Sequence, residues 1–183
     1  MSSKYKTGNQ AIPHFVTFTI VGWADVFTRD VYKDIFVSSL DFCIKNKDLE
    51  LHAWVIMTNH VHLIVSTKGA NYISDFVRDV KKFTCLNIIK TMQNNKHESR
   101  KVWMINMFEF AGKSNTNNKN YQLWKQYYHP IELNTPRRLQ IALNYLHNNP
   151  VKSGLVWEPW HYKYSSGIDY YTNEKGMLDL VMI

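Results

Sequence analysis

The sequence predicts an α+β fold, and three observations carry that prediction. Short β-branched and aromatic runs alternate with longer amphipathic stretches. Two of the short runs are separated by three residues only, which favours an antiparallel hairpin. The order is strand, helix, strand, strand, helix, strand, then an added C-terminal helix. That is the split β-α-β pattern of a ferredoxin-like antiparallel sheet with both helices on one face, leaving the other face free for a site.

Each element has its own signal. Residues 15–21 are aromatic and β-branched and read as a strand closed by Gly22. Over residues 31–47, Val31, Ile35, Leu40, Cys43 and Ile44 recur at helical spacing, with Asp30 as N-cap. Residues 51–57 and 61–66 are the hairpin strands about Thr58, Asn59 and His60. A second helix covers residues 74–92. Its apolar side carries Phe76, Val77, Val80, Phe83 and Ile88, with Arg78, Lys81, Lys82 and Lys90 elsewhere around it. After a polar break at 94–101, residues 102–110 are predicted as the fourth strand. The asparagine-rich residues 113–120 are predicted as a loop and the most mobile segment. Thr135-Pro136 marks the N-cap and first position of a helix that Pro150 stops at about residue 148. Residues 154–183 carry aromatic clusters without a clear period. The length suits one domain over 1–183, with a core at about 13–150 and an extension over 151–183.

Composition narrows the function. With 45% apolar residues in a chain of 183, a packed core is available and wholesale disorder is excluded. No run of eighteen apolar residues exists and the first residues lack a secretory pattern, so the expectation is a protein off the membrane. Two cysteines fit a reducing, cytoplasmic setting. A net charge of +7 with 14% aromatics favours a polyanionic partner, nucleic acid first, although a merely solubilising basic surface has the same composition.

Two places carry chemistry. His60 and His62 stand two apart at the start of a strand, so both imidazoles point to one face while Val61, Leu63 and Val65 point to the other. Such a pair can share a divalent metal, or it can be two hydrogen-bonded strand histidines. On the late helix, Leu139, Leu143 and Leu146 mark the packing side. Tyr145 and Asn149, four apart and therefore neighbours, form another stripe with Arg138. A tyrosine beside a carboxamide is a workable nucleophile site, or ordinary helix packing.

The two places resemble one family when taken together. The segment Ala53-Trp54-Val55-Ile56-Met57-Thr58-Asn59-His60-Val61-His62-Leu63-Ile64 resembles the histidine-hydrophobe-histidine (HUH) motif of single-tyrosine transposases. The segment Asn144-Tyr145-Leu146-His147-Asn148-Asn149-Pro150-Val151-Lys152-Ser153-Gly154-Leu155-Val156 resembles the nucleophile helix of the REP-associated tyrosine transposases, relatives of the insertion-sequence transposases. Phe15 to Trp23, Leu123-Trp124, Tyr128-His129-Pro130 and Tyr164-Ser165-Ser166 are further matches, and the resemblance spans roughly residues 13–171.

The resemblance implies roles for particular residues. His60 and His62 would bind Mg²⁺ or Mn²⁺, with Asn149 in the place of a third ligand. Tyr145 would attack a DNA phosphodiester and leave a 5′-phosphotyrosine link. Asparagine at 149, where insertion-sequence relatives commonly carry glutamine, points to the REP-associated branch. Thr58 departs from the usual proline of that turn. The implied partner is single-stranded or hairpin DNA. Insertion-sequence relatives work as homodimers that can share sites between subunits, whereas the REP-associated branch need not. Arg78, Lys81, Lys82, Arg137, Arg138 and Lys152 are the candidate phosphate-binding residues. The competing readings are a hairpin-binding module that retains the fold without the reaction, and a metal-dependent hydrolase whose attacking group is water.

Overall fold

A computed structural model of the chain describes residues 9–68, 72–115 and 120–183. The elements in order are β1 (His14–Thr19), α1 (Asp30–Asn46), β2 (Leu49–Ile56), β3 (His60–Thr67), α2 (Ile73–Asn94), α3 (Lys101–Lys113), β4 (Ile131–Glu132), α4 (Pro136–Lys152) and α5 (Gly167–Tyr171). Short 3-10 turns fall at Val21–Trp23, Val26–Thr28 and Pro159–His161. The strands form one antiparallel sheet in the order β2-β3-β1-β4, as expected of a ferredoxin-like arrangement. Met57 N–H donates to His60 O at 2.8 Å and closes the predicted hairpin.

Period-two alternation sorts the strand side chains into two cores. Val16, Phe18, Val61, Leu63 and Val65 face α1 and α2, where they meet Phe36, Leu40, Phe76, Val80 and Ile88. The rings of Phe18, Phe27 and Phe36 close around Trp124 at centroid distances of 5.7–5.8 Å. On the opposite face, Ala53, Val55, Met57 and Ile64 pack against Ala142, Leu143 and Leu146 of α4. The added helix therefore sits on the face that the first two helices leave open. In β2 the register slips between Leu51 and Ala53. Leu49 and Leu51 face α1 and α2 before the slip, and Trp54 and Ile56 do so after it. The extra residue, His52, bends the strand. Its imidazole is buried between Ser66 Oγ at 2.9 Å and Val181 O at 2.7 Å.

Three expectations are corrected. Residues 102–110 are helical, within α3, and are no strand. Their apolar residues lie on all sides, which imitates a strand in composition, but the buried ones are Met104, Phe108 and Gly112 at four-residue spacing. The fourth strand is β4, two residues long, pairing Ile131 with Phe15 and Glu132 with His14. The late helix runs through Pro150 to Lys152. Gly154, at φ +69°, supplies its end: Gly154 N–H bonds Val151 O and Leu155 N–H bonds Pro150 O, a Schellman closure. Of the loop expected over 113–120, Lys113 ends α3 and residues 116–119 lie outside the described residues.

The C-terminal aromatics, which show no period, buckle the edge of β2. Ile56 N–H donates to Tyr164 O and Ser166 N–H to Trp54 O. Tyr162, Tyr164 and Tyr170 donate their hydroxyls to Ile56 O, Asp34 Oδ1 and His52 O. Among the described residues no helix is long and apolar enough to cross a membrane.

The loop leaving β1 is a backbone constraint. Gly22 has φ +65°, and a Cβ there would stand 2.5 Å from Met107 Sδ on α3. The methionine tip can yield, so the left-handed backbone decides the cost. Gly22→Ala is expected to destabilise the fold by about 1–2 kcal/mol, read as a shift in the urea midpoint without a change in slope.

Candidate active site

The site is built where β1, β3 and α4 meet. Strand alternation on β3 puts His60, His62 and Ile64 on the α4 face. In the β1–β3 register, Thr17 stands opposite His62 and Thr19 opposite His60. Thr17 Oγ1 lies 2.9 Å from His62 Nδ1. Asn59 Oδ1 accepts from His60 Nδ1 at 2.7 Å, and its amide nitrogen donates to Trp23 O at 3.3 Å, which fixes the amide's orientation. His60 therefore carries its proton on Nδ1 and presents a lone pair at Nε2.

The two imidazoles are 4.7 Å apart between ring centroids. Burial pushes both down from the ordinary histidine range. His62, further disfavoured as a cation by neighbouring His60, is held at about 3. Both are neutral at physiological pH, the form that ligates a metal. His62 Nε2 is buried without a hydrogen-bond partner among the described residues. An orphaned buried nitrogen costs about 1–3 kcal/mol unless something else satisfies it.

Tyr145 meets this pair from α4. Its ring lies 5.3 Å from the His62 ring and 5.9 Å from Phe15, which in turn packs 5.1 Å from His62. All four rings belong to one chain. Tyr145 remains 47% exposed, and its hydroxyl has no hydrogen-bond partner among the described residues. The opposite side of α4 fixes this orientation. His147 is buried, its Nε2 lies 2.8 Å from Ser166 Oγ, and Ser166 Oγ accepts from Trp54 N–H at 2.9 Å. Asn149 follows one turn after Tyr145 on the same side of the helix and is half-buried.

The donor set fits a divalent ion with open coordination positions: two neutral imidazoles, with the Asn149 amide oxygen as the remaining candidate. Among the described residues no group of three His, Cys, Asp or Glu could hold a metal, so no closed structural zinc site is formed.

The basic candidates separate. Arg137 and Arg138 are exposed in the first turn of α4, where Arg138 also bonds Asn134 Oδ1 at 3.1 Å. Lys152 is exposed in the last turn. α2 packs on the far face of the sheet, so Arg78 and Lys82 are not brought to the histidines. Arg78 is paired with Asp75 and Asp79. Lys81 is turned inward: its Nζ donates to Lys125 O at 2.8 Å, and burial lowers its ammonium to about 8. It braces backbone and offers no free charge to phosphate. Phe15, Thr17, Asn59 and Trp23 surround the site; in the sequence they fall inside the matched segments but carry no assigned role. The pairing register of β1 against β3 is the signal that finds Thr17.

The comparisons with known proteins place this ferredoxin-like sheet among transposases. The family model described as "Transposase IS200 like" matches residues 9–127. The chain belongs to the IS200-like transposase family. That match contains the histidine pair and ends before α4. Among solved structures, a REP-associated tyrosine transposase bound to a REP hairpin superposes with a TM-score of 0.63 at 15% identity, covering 91% of this chain and 82% of that one. A protein from Deinococcus radiodurans R1 described as a transposase gives 0.44 at 21% identity, over 79% of this chain and 97% of that one. No curated protein matches.

Proposed function

We propose that this transposase is a metal-dependent, single-tyrosine enzyme that cleaves and rejoins single-stranded or hairpin DNA through Tyr145. The observation that carries the reading is the Tyr145 ring against His62, 5.3 Å away in the same chain. The structurally similar REP-associated transposase is bound to a REP hairpin, which supports a hairpin substrate here.

In the proposed step the Tyr145 oxygen gives up its proton and bonds to phosphorus. The P–O3′ bond breaks, and the 3′ oxygen takes up a proton to leave a free 3′-hydroxyl. The 5′-phosphotyrosine link conserves the phosphodiester, so a 3′-hydroxyl can reverse the step and rejoin a strand without ATP. An unassisted phenol is a poor nucleophile at neutral pH. His60, His62 and Asn149 would hold Mg²⁺ or Mn²⁺, which supplies charge neutralisation and orientation of the phosphate. The mixed nitrogen and amide-oxygen set suits Mn²⁺ better than Mg²⁺.

The protein's own residues do the positioning. Thr17 and Asn59 hold the imidazole planes. Phe15 backs both His62 and Tyr145. Arg137 and Arg138 sit in a helix first turn, where the macrodipole disfavours cations, and a DNA phosphate would relieve that repulsion.

The test is incubation of the protein with labelled hairpin DNA bearing unpaired tails, with and without Mn²⁺, followed by a denaturing gel. A covalent adduct requiring the metal is expected. Strand scission that releases free 5′-phosphate without adduct would favour water as nucleophile instead. For the metal alone, His62→Ala removes a proposed direct ligand and should weaken Mn²⁺ binding by calorimetry at least about 100-fold, the upper end of the loss seen for outer-shell partners. Equal affinity in the variant would remove His62 from the ligand set.

A further inference from the structure

We propose that Trp23 and Lys125 form a subsite for one unpaired nucleobase and its phosphate at the rim of the histidine pair. The inference rests on the single-stranded DNA reading above and names where a flanking nucleotide is held.

Trp23 is 58% exposed although it adjoins a packed site. Its backbone lies at φ +57°, a region that bulky L side chains avoid at a cost of about 1–2 kcal/mol. Surrounding contacts over-determine that conformation. Ile20 N–H donates to Asn59 O at 2.9 Å, Val21 N–H to Leu123 O at 2.9 Å, and Asn59 Nδ2 to Trp23 O at 3.3 Å. A strained, exposed aromatic held by the chain next to reactive groups is how a fold presents a recognition surface.

Its position relates it to the reaction. The Trp23 ring lies 6.5 Å from His60, His60 lies 4.7 Å from His62, and His62 lies 5.3 Å from Tyr145. The tryptophan thus neighbours one histidine of the pair and the tyrosine the other. A strand whose phosphate sits at Tyr145 brings a neighbouring nucleotide toward Trp23. Asn59 connects the two functions, since it holds both the His60 imidazole and the Trp23 carbonyl.

Lys125 supplies the charge. Its Nζ stands 4.3 Å from the Trp23 ring centroid, and it makes no ion pair among the described residues. Its backbone is fixed on both sides, with N–H donating to Thr19 O at 2.8 Å and the carbonyl accepting from Lys81. An aromatic face beside an ammonium without a carboxylate is the pairing that binds single-stranded nucleic acid: the ring stacks the base and the cation meets the phosphate.

The experiment uses the full chain in EDTA, so that binding is read without cleavage. Fluorescein-labelled hairpins with and without a ten-nucleotide thymidine tail are followed by anisotropy. Trp23→Ala is expected to bind the tailed hairpin about ten-fold more weakly, Trp23→Phe to stay within about three-fold, and Lys125→Met to reduce the salt dependence by about one ion. The blunt hairpin should bind Trp23→Ala as it binds the wild type, which also shows that the variant is folded. In the wild type, an abasic residue at one tail position should reproduce the Trp23→Ala loss. Unchanged tail affinity in Trp23→Ala, with the wild type still forming its metal-dependent adduct, overturns the subsite and leaves the strand-cleaving reading standing. A wild type that neither binds tailed DNA nor forms an adduct overturns both.

Discussion

Tyr145→Phe is expected to abolish the covalent DNA adduct and to lower strand cleavage by at least about 10³-fold, with the fold unchanged. The substitution removes one oxygen that has no hydrogen-bond partner among the described residues. It leaves the ring in its contacts with His62 and Phe15. Thermal stability should therefore stay within about 0.5 kcal/mol of the wild type. Mn²⁺ binding and tailed-hairpin affinity should also persist, because the proposed ligands and the Trp23 ring are untouched. Rapid cleavage by the phenylalanine variant in single-turnover kinetics would assign the attack to another group.

The largest stability effect is expected far from the site, at Glu98. This carboxylate is fully buried, yet it accepts from Arg29 Nε at 2.8 Å and from Arg100 Nε at 2.9 Å, with Arg100 N–H at 3.2 Å. Arg29 also bonds His97 O, and Arg100 bonds Asp25 O and Thr28 Oγ1. One acid thus ties the turn before α1 to the α2–α3 connection. Glu98→Ala should cost about 3 kcal/mol, a fall in Tm of about 6–12 °C. The cost lies at the low end for a broken buried pair because both guanidinium groups are about a third exposed and can recover water.

The same group sets an acid limit. Burial alone would raise the Glu98 carboxyl, but hydrogen bonds from Arg100 and Arg29 outweigh it and hold the group at about 2, below its ordinary 4.5. A depressed carboxylate stabilises the fold fully above its unfolded value and loses that contribution as pH falls through the folded one. Wild-type stability should decline between about pH 4.5 and 2. Glu98→Gln should flatten that segment of the profile in urea titrations, and a parallel profile would show that other carboxylates set the limit.

Much of the site is legible in the sequence because it rests on period. His60 and His62 share a face by strand alternation, and Tyr145 and Asn149 share one by helical spacing. What period cannot give is which face of which element meets which. That α4 fills the sheet face carrying the histidines emerges only when Ile64 and Val55 meet Leu143 and Leu146. The misread strand at 102–110 has apolar residues all round, so its buried four-residue spacing shows only once α3 is packed. β4 is two residues long, too short for any alternation. The tolerance of Pro150 inside α4 depends on the closure at Gly154. Lys81 illustrates the limit for charge: composition counts it as surface, whereas its Nζ is bound to backbone carbonyls. Trp23 ends one of the matched segments, but its left-handed backbone and its exposure beside His60 have no sequence signature.

Tyr145 is the proposed nucleophile of a site whose rings all come from one chain. Mass-spectrometric mapping of the protein–DNA adduct after nuclease and protease digestion identifies the attacking residue. A 5′-phosphonucleotide is expected on the peptide containing Tyr145, and on that residue within it. A nucleotide attached to any other side chain, or cleaved DNA with no modified peptide, would contradict it.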